Sequence, residues 1–299
     1  MTIDALRTPE ERFAMLPAFP YDPAYTDTLD GYDGLRMAYI DEGPQDAETT
    51  FLCLHGEPSW SYLYRKMIPH FLEGGHRVIA PDLFGFGRSD KPVNDADYTF
   101  HFHRNSLMRL IEQLDLQNII LVCQDWGGIL GLTLPMDMQS RFKGALVMNT
   151  GLPVGAPPSD GFLFWKNFCA TAPEIPAGSL IIGDAQNTNL YDCIAYDAPF
   201  PDDRYKAGVR RFPQLVPVEA GMDGVEECKR ARAFFANDWQ GMSFIAVGLR
   251  DIVLGEDVMT ELHGLFKNAP PLMKVPNGGH FVQEHGEEIA IAALAHFGI

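Results

Sequence analysis

Short apolar runs recur along this chain, each closing on a turn rich in Gly, Asp or His, with longer amphipathic stretches between them. Residues 49–54 (TTFLCL), 77–80 (RVIA), 118–123 (NIILVC), 143–148 (KGALVM), 243–247 (SFIAV) and 272–275 (LMKV) are largely apolar at consecutive positions. Strands of that kind bury both faces, and strands separated by helices form a parallel sheet covered on both sides, an α/β fold. Helices are predicted over residues 62–72, 102–114, 128–138, 256–266 and 284–297, and residues 35–40 (LRMAYI) alternate enough to be an antiparallel lead-in. The rhythm breaks between residues 151 and 221, where Pro, Gly, Tyr and Phe crowd together and no strand-like run appears. About seventy Pro-rich residues make a weak core alone, so they are expected to form a helix-and-loop cap over the sheet. The core is then residues 1–151 and 222–299, with the cap at 152–221.

Charge removes several partners. Lys and Arg total 23 against 40 Asp and Glu, a formal net charge of −17. Such a surface repels phosphate backbones and anionic lipid, so neither nucleic acid nor a membrane is expected as a partner. No apolar run approaches the length of a membrane span, and the first twenty residues do not read as a signal peptide. Five scattered cysteines, Cys53, Cys123, Cys169, Cys193 and Cys228, read as reduced, buried small hydrophobes rather than a disulfide framework. A cytoplasmic monomer is expected.

In open parallel sheets functional side chains collect just beyond the C-terminal ends of the strands. Residues 123–128 (CQDWGG) place Asp125 on a strand-to-helix turn with small residues two before and two after it, the pattern of a nucleophile elbow with Asp in place of Ser. Asp251 follows the strand at 243–247, and His280 follows the last strand in a Gly-Gly-His turn. Taken singly, Asp125 could cap the next helix and His280 could be structural. Together they run in the order nucleophile, acid, base found in α/β-hydrolases, each at a strand end. The other histidines lack such a setting, and no zinc-like spacing appears.

Six segments carry a more specific likeness: HGEPSWSYLYRKM from His55, APDLFGFGRSDKP from Ala80, CQDWGG, DAPFPDDRYKAGVRRFP from Asp197, GLRDIVLG from Gly248 and GGHFVQEHGE from Gly278. The chain resembles the hydrolytic haloalkane dehalogenases, most closely the subfamily whose acid follows the strand after the lid. A related subfamily carries its acid after the strand before the lid, where this chain has Asn149-Thr150. The resemblance implies an α/β-hydrolase core, no metal or organic cofactor, and conversion of a small haloalkane and water to a primary alcohol and halide. It further implies Trp126 and Trp165 as halide-binding indoles, and the backbone N–H groups of Glu57 and Trp126 as an oxyanion hole. The Glu57 carboxyl itself is expected to stay out of the chemistry.

The residue types suit that chemistry. A carboxylate can displace halide from an sp³ carbon and become an alkyl ester. A departing halide needs donors that cannot themselves lose a proton, and an indole N–H is donor-only. Neutral His280, oriented by Asp251, would then activate water against the ester, so turnover should fall on acidification through roughly pH 6–7. Aromatic cap residues suggest short, terminally halogenated alkanes. The rival chemistry is epoxide hydrolysis, which needs a proton donor for its alkoxide. Cap tyrosines Tyr191, Tyr196 and Tyr205 are the candidates, while Gln124 stands where epoxide hydrolases usually carry His. A rival of another class, a non-catalytic ligand receptor, is disfavoured by the intact Asp125, Asp251 and His280 set.

Overall fold

An eight-stranded sheet runs through the middle of the computed structural model, which describes residues 3–299. Its strands are β1 (Pro23–Thr26), β2 (Met37–Glu42), β3 (Thr50–Leu54), β4 (Arg77–Pro81), β5 (Ile119–Gln124), β6 (Phe142–Met148), β7 (Met242–Gly248) and β8 (Met273–Val275). They lie side by side in the order β8-β7-β6-β5-β3-β4-β2-β1. All neighbours from β8 to β4 are parallel, while β2 pairs antiparallel with β4 and with β1. The antiparallel lead-in expected at 35–40 is β2; its partner β1, with Pro23 at its start, carries no comparable apolar signal.

Alternate residues of the central strands enter different cores. Leu52, Leu54, Leu121, Cys123, Ala145 and Val147 face one, and Phe51, Cys53, Ile120, Val122, Leu146 and Met148 face the other. Each buried Leu, Val, Ile, Phe or Met among them contributes about 1.5–3 kcal/mol, which explains why these strands read as unbroken apolar runs.

The helices are α1 (Ile68–Glu73), α2 (Phe100–Gln113), α3 (Trp126–Gly131), α4 (Asp160–Thr171), α5 (Ala177–Asp184), α6 (Leu190–Asp197), α7 (Ala207–Leu215), α8 (Val225–Asn237), α9 (Glu256–His263) and α10 (Gly286–Phe297). Three start on clear signals: the Thr99 hydroxyl accepts the Phe102 N–H at 3.0 Å ahead of α2, the Ser159 hydroxyl accepts the Phe162 N–H at 3.2 Å ahead of α4, and Asn189 and Asp192 form a capping box on α6. Two expected helices are cut short by proline. The segment 128–138 is helical only to Gly131, because Pro135 cannot donate to the ladder and restricts Leu134 before it. The segment 62–72 is a 3₁₀ turn over Ser61–Lys66 followed by α1, with Pro69 in its first turn. Helices α4 to α7 occupy the irregular stretch between β6 and β7, and α8 after them packs its Cys228, Ala231 and Phe235 into the same core as β7. All five cysteines are free and buried, and no helix among the described residues is long and apolar enough to cross a membrane.

A buried ionic network joins α6 to the body beneath it. Arg65 donates to both oxygens of Glu284 at 2.7 and 2.8 Å and to Asp192 Oδ1 of α6 at 2.9 Å. The Tyr62 hydroxyl donates to the same Asp192 oxygen at 2.8 Å, and the Tyr196 hydroxyl of α6 reaches Glu284. Glu284 lies four residues after His280. Truncating one member of a buried network strands the remaining charges, at a cost of about 3–5 kcal/mol. Arg65→Leu is therefore expected to destabilise the protein by that amount, read as a lower midpoint in urea unfolding.

Candidate active site

The loops leaving β3, β5, β6, β7 and β8 meet at one edge of the sheet. The turn after β5 is the tightest: Asp125 has φ 49° and ψ −126°, a left-handed conformation that a non-glycine residue adopts only under constraint. Its carbonyl accepts the N–H groups of Gly128 and Ile129, both at 2.9 Å, and its own N–H donates to the Asn149 carbonyl at 3.0 Å. Gly127 lies so close to the Leu54 carbonyl of β3 that any side chain there would collide with it. That contact is why the elbow needs a small residue two positions after Asp125.

The turn lifts the Asp125 carboxylate above the sheet. Oδ1 accepts the Glu57 backbone N–H at 2.8 Å, and Oδ2 faces His280 Nε2 at 3.6 Å. On the far side of the ring, His280 Nδ1 lies 2.8 Å from Asp251 Oδ2. Asp251 can only accept, so Nδ1 carries the proton and Nε2 is the nitrogen turned toward Asp125. Asp251 is itself saturated, taking the Val253 and Leu254 N–H groups at 2.8 and 2.9 Å and the Asn149 amide at 3.0 Å.

These contacts set the ionisation states. Burial raises the Asp251 carboxyl, but the His280 charge and these hydrogen bonds outweigh it and hold Asp251 at about 2. Burial likewise opposes a charge on His280, yet Asp251 and Asp125 overcome it and keep the imidazole well above its ordinary value. Glu57 behaves in the opposite way. Buried beside Asp125, its carboxyl is pushed well above the usual range, first by desolvation and then by its neighbour's charge.

Both indoles singled out in the sequence belong to this cavity. Trp126 opens α3 and is buried with its ring edge-on to Phe212, centroids 4.8 Å apart. Trp165, on α4, stacks on Phe168, and its N–H donates to Glu57 Oε2 at 3.2 Å. Asp125, Trp126, Trp165, Asp251, His280 and Glu57 all line one cavity of ≈ 580 Å³ whose remaining walls are mostly Leu, Val, Ile, Phe and Pro. Trp60 and Trp239 lie elsewhere, donating to the Ala195 carbonyl and the Ser243 hydroxyl.

Four residues of the site had no such role in the sequence reading. Asn149 braces Asp251, and its side-chain Oδ1 accepts the Gly248 N–H at 2.8 Å, so the place where a carboxylate was looked for holds an amide touching Asp251. Gln124 donates to the His280 carbonyl at 3.1 Å. The Glu57 carboxyl meets Trp165, and Asp184 of α5 also borders the cavity. Asn149 and Gln124 could have been found as polar residues closing apolar strands; the other two contacts depend on where α4 and α5 settle.

A family model described as alpha/beta hydrolase fold matches residues 49–287. A haloalkane dehalogenase of Psychrobacter cryohalolentis is 44% identical over 292 residues, 95% of either chain. One of Mycobacterium marinum is 40% identical over 301 residues, covering 96% of this chain and 98% of the relative. A solved structure, described as a tetrameric haloalkane dehalogenase of Paraglaciecola agarilytica, superposes with a TM-score of 0.97 at 60% identity over 98% of each chain. That relative's assembly differs from the monomer expected here.

The elevated imidazole depends in part on the Asp125 charge 3.6 Å away. Removing that charge destabilises the imidazolium, so its midpoint must fall. In Asp125→Asn the His280 ring is expected to titrate at lower pH than in the wild type, measured by NMR on ring-labelled protein.

Proposed function

The chain belongs to the haloalkane dehalogenases, enzymes of the α/β-hydrolase fold, and we propose that it turns small haloalkanes into primary alcohols through an alkyl ester on Asp125. In this reading residues 1–151 and 222–299 are the hydrolase core and residues 152–221 the cap. The observation that carries it is the Asp125 carboxylate at a strained elbow, one oxygen on a backbone N–H and the other facing a carboxylate-backed imidazole, in an apolar cavity with two indoles.

Asp125 Oδ2 attacks the halogen-bearing carbon; the new C–O bond forms as the carbon–halogen bond breaks, and halide leaves with the electron pair. The indole N–H groups of Trp126 and Trp165 take up the halide, which in an apolar cavity would otherwise be very costly. Esterification also cancels the Asp125 charge, one of the two that held the proton on His280. The base is thereby freed when it is needed, and the acid limb of ester hydrolysis follows this lower midpoint rather than that of the resting enzyme.

Water then attacks the Asp125 carbonyl carbon while His280 Nε2 takes a proton, and Asp251 stabilises the cation formed. Negative charge develops on Oδ1, where the Glu57 backbone N–H already sits at 2.8 Å, with the Trp126 backbone N–H as the second donor. Each such donor is worth about 3–4 kcal/mol. Collapse expels the alkoxide, which takes the proton from His280, and the Asp125 carboxyl gives its proton to solvent. The sum is haloalkane and water to alcohol, halide and a proton.

Epoxide opening is the weaker reading on geometry. Its alkoxide needs a proton from the cap, and none of Tyr191, Tyr196 and Tyr205 lines the cavity. Tyr196 is buried against Glu284, and Tyr191 is largely solvent-exposed. Chain length is set more loosely than short haloalkanes alone. At about 30 Å³ per water-sized group, a five-heavy-atom substrate fills on the order of 150 Å³, well under the cavity's ≈ 580 Å³. For assembly, the tetramer described for the Paraglaciecola relative favours self-association here, and Leu190, Tyr191 and Ile194 on α6 offer exposed apolar surface for it.

With 1-bromobutane, His280→Gln is expected to release one bromide per enzyme and stall, leaving a butyl adduct on Asp125 in the intact-protein mass; continued bromide release without an adduct overturns the covalent route. Diol formation from 1,2-epoxybutane faster than bromide release would favour the epoxide reading. Light scattering of the wild type is expected to give a mass several times that of one chain, and a single-chain mass returns the monomer.

A further inference from the structure

Asp184 is the last residue of α5, where the helix dipole disfavours a negative charge and the last turn holds no basic side chain. Helix stability therefore does not explain it. Its carboxylate turns instead onto the turn that carries His280. Oδ2 accepts the Phe281 backbone N–H at 3.1 Å, and the His280 backbone N–H acts on the same group. Gly279 passes so close that any side chain there would collide with the Asp184 carboxylate. The Gly-Gly-His sequence is thus shaped on one side by a residue from the segment above it.

We infer that Asp184 is a positioning residue for the reaction: a cap-borne carboxylate that fixes the backbone of the His280 turn and adds negative charge beside the imidazole. This rests on the reading of His280 as the base. The groups facing His280 are Asp251 after β7, Asp125 after β5, Glu57 after β3 and Asp184 from the cap, so Asp184 is the one whose position depends on the cap. Burial, helped by the Asp251 charge, raises the Asp184 carboxyl above its ordinary value, and the His280 charge and the two backbone N–H groups offset only part of that rise. That coupling is reciprocal: what His280 does for the Asp184 anion, Asp184 does for the imidazolium. The cap therefore has a direct hold on the orientation and protonation of the base, separate from the Arg65 network that anchors α6.

Asp184→Asn keeps an acceptor for Phe281 and removes the charge, whereas Asp184→Ala removes both. The His280 ring, followed by NMR in the resting enzyme, is expected to titrate roughly half a pH unit lower in Asp184→Asn than in the wild type. The acid limb of bromide release from 1-bromobutane should move the same way, with KM within about twofold. Asp184→Ala should in addition lose about tenfold in kcat as the base loses its alignment. Equal His280 midpoints in the wild type and Asp184→Asn overturn the inference. Normal turnover by His280→Gln would instead reject His280 as the base, and the NMR comparison would still decide whether Asp184 acts on it.

Discussion

One imidazole lies between two carboxylates, and the rest of the site is built to keep it there. Asp251 is the permanent partner, saturated with hydrogen bonds and too strongly held as an anion to take the proton itself. In the proposed mechanism Asp125 is a conditional partner, because its charge would disappear on becoming an ester. A base whose basicity drops when its neighbour reacts needs no moving part to time its proton transfer. It needs the two carboxylates on opposite sides of one ring, with distances of 2.8 and 3.6 Å held by the ends of three different strands.

The sheet supplies that precision. Strands buried on both faces cannot slide without exposing one core or the other, so their C-terminal ends are fixed relative to each other. The strained turn at Asp125 persists because Gly127 lets α3 close against β3, and because the Asn149 carbonyl holds the Asp125 N–H. Asn149 serves both carboxylates: its backbone holds the elbow and its side chain holds Asp251.

Much of this was legible in the sequence. Doubly buried strands leave unbroken apolar runs, and the residues just past them form a short set from which the elbow spacing and the chain order single out Asp125, Asp251 and His280. The family resemblance added the indoles, and Trp165 does reach the cavity. Less was legible where proline interrupts a periodic stretch, as at Pro135, since periodicity by itself does not say where a helix stops. Hydrogen bonds made by the 152–221 segment were not legible from local pattern. The Trp165 indole and the Glu57 carboxyl are separated by more than a hundred residues, and their meeting depends on how α4 packs, which no local pattern records. Asp184 was passed over for the same reason: alone it is an ordinary acid at a helix end.

The pairing of the Trp165 indole with the Glu57 carboxyl bears on how an anion can come and go. A bare N–H in a dry cavity costs about 1–3 kcal/mol, and the resting enzyme avoids that by lending the indole an acceptor of its own. If Trp165 binds the leaving halide as proposed, an arriving halogen would take over a hydrogen bond already in use, and a departing halide would hand it back. In that reading the exchange is one partner for another, with the indole donor occupied before and after.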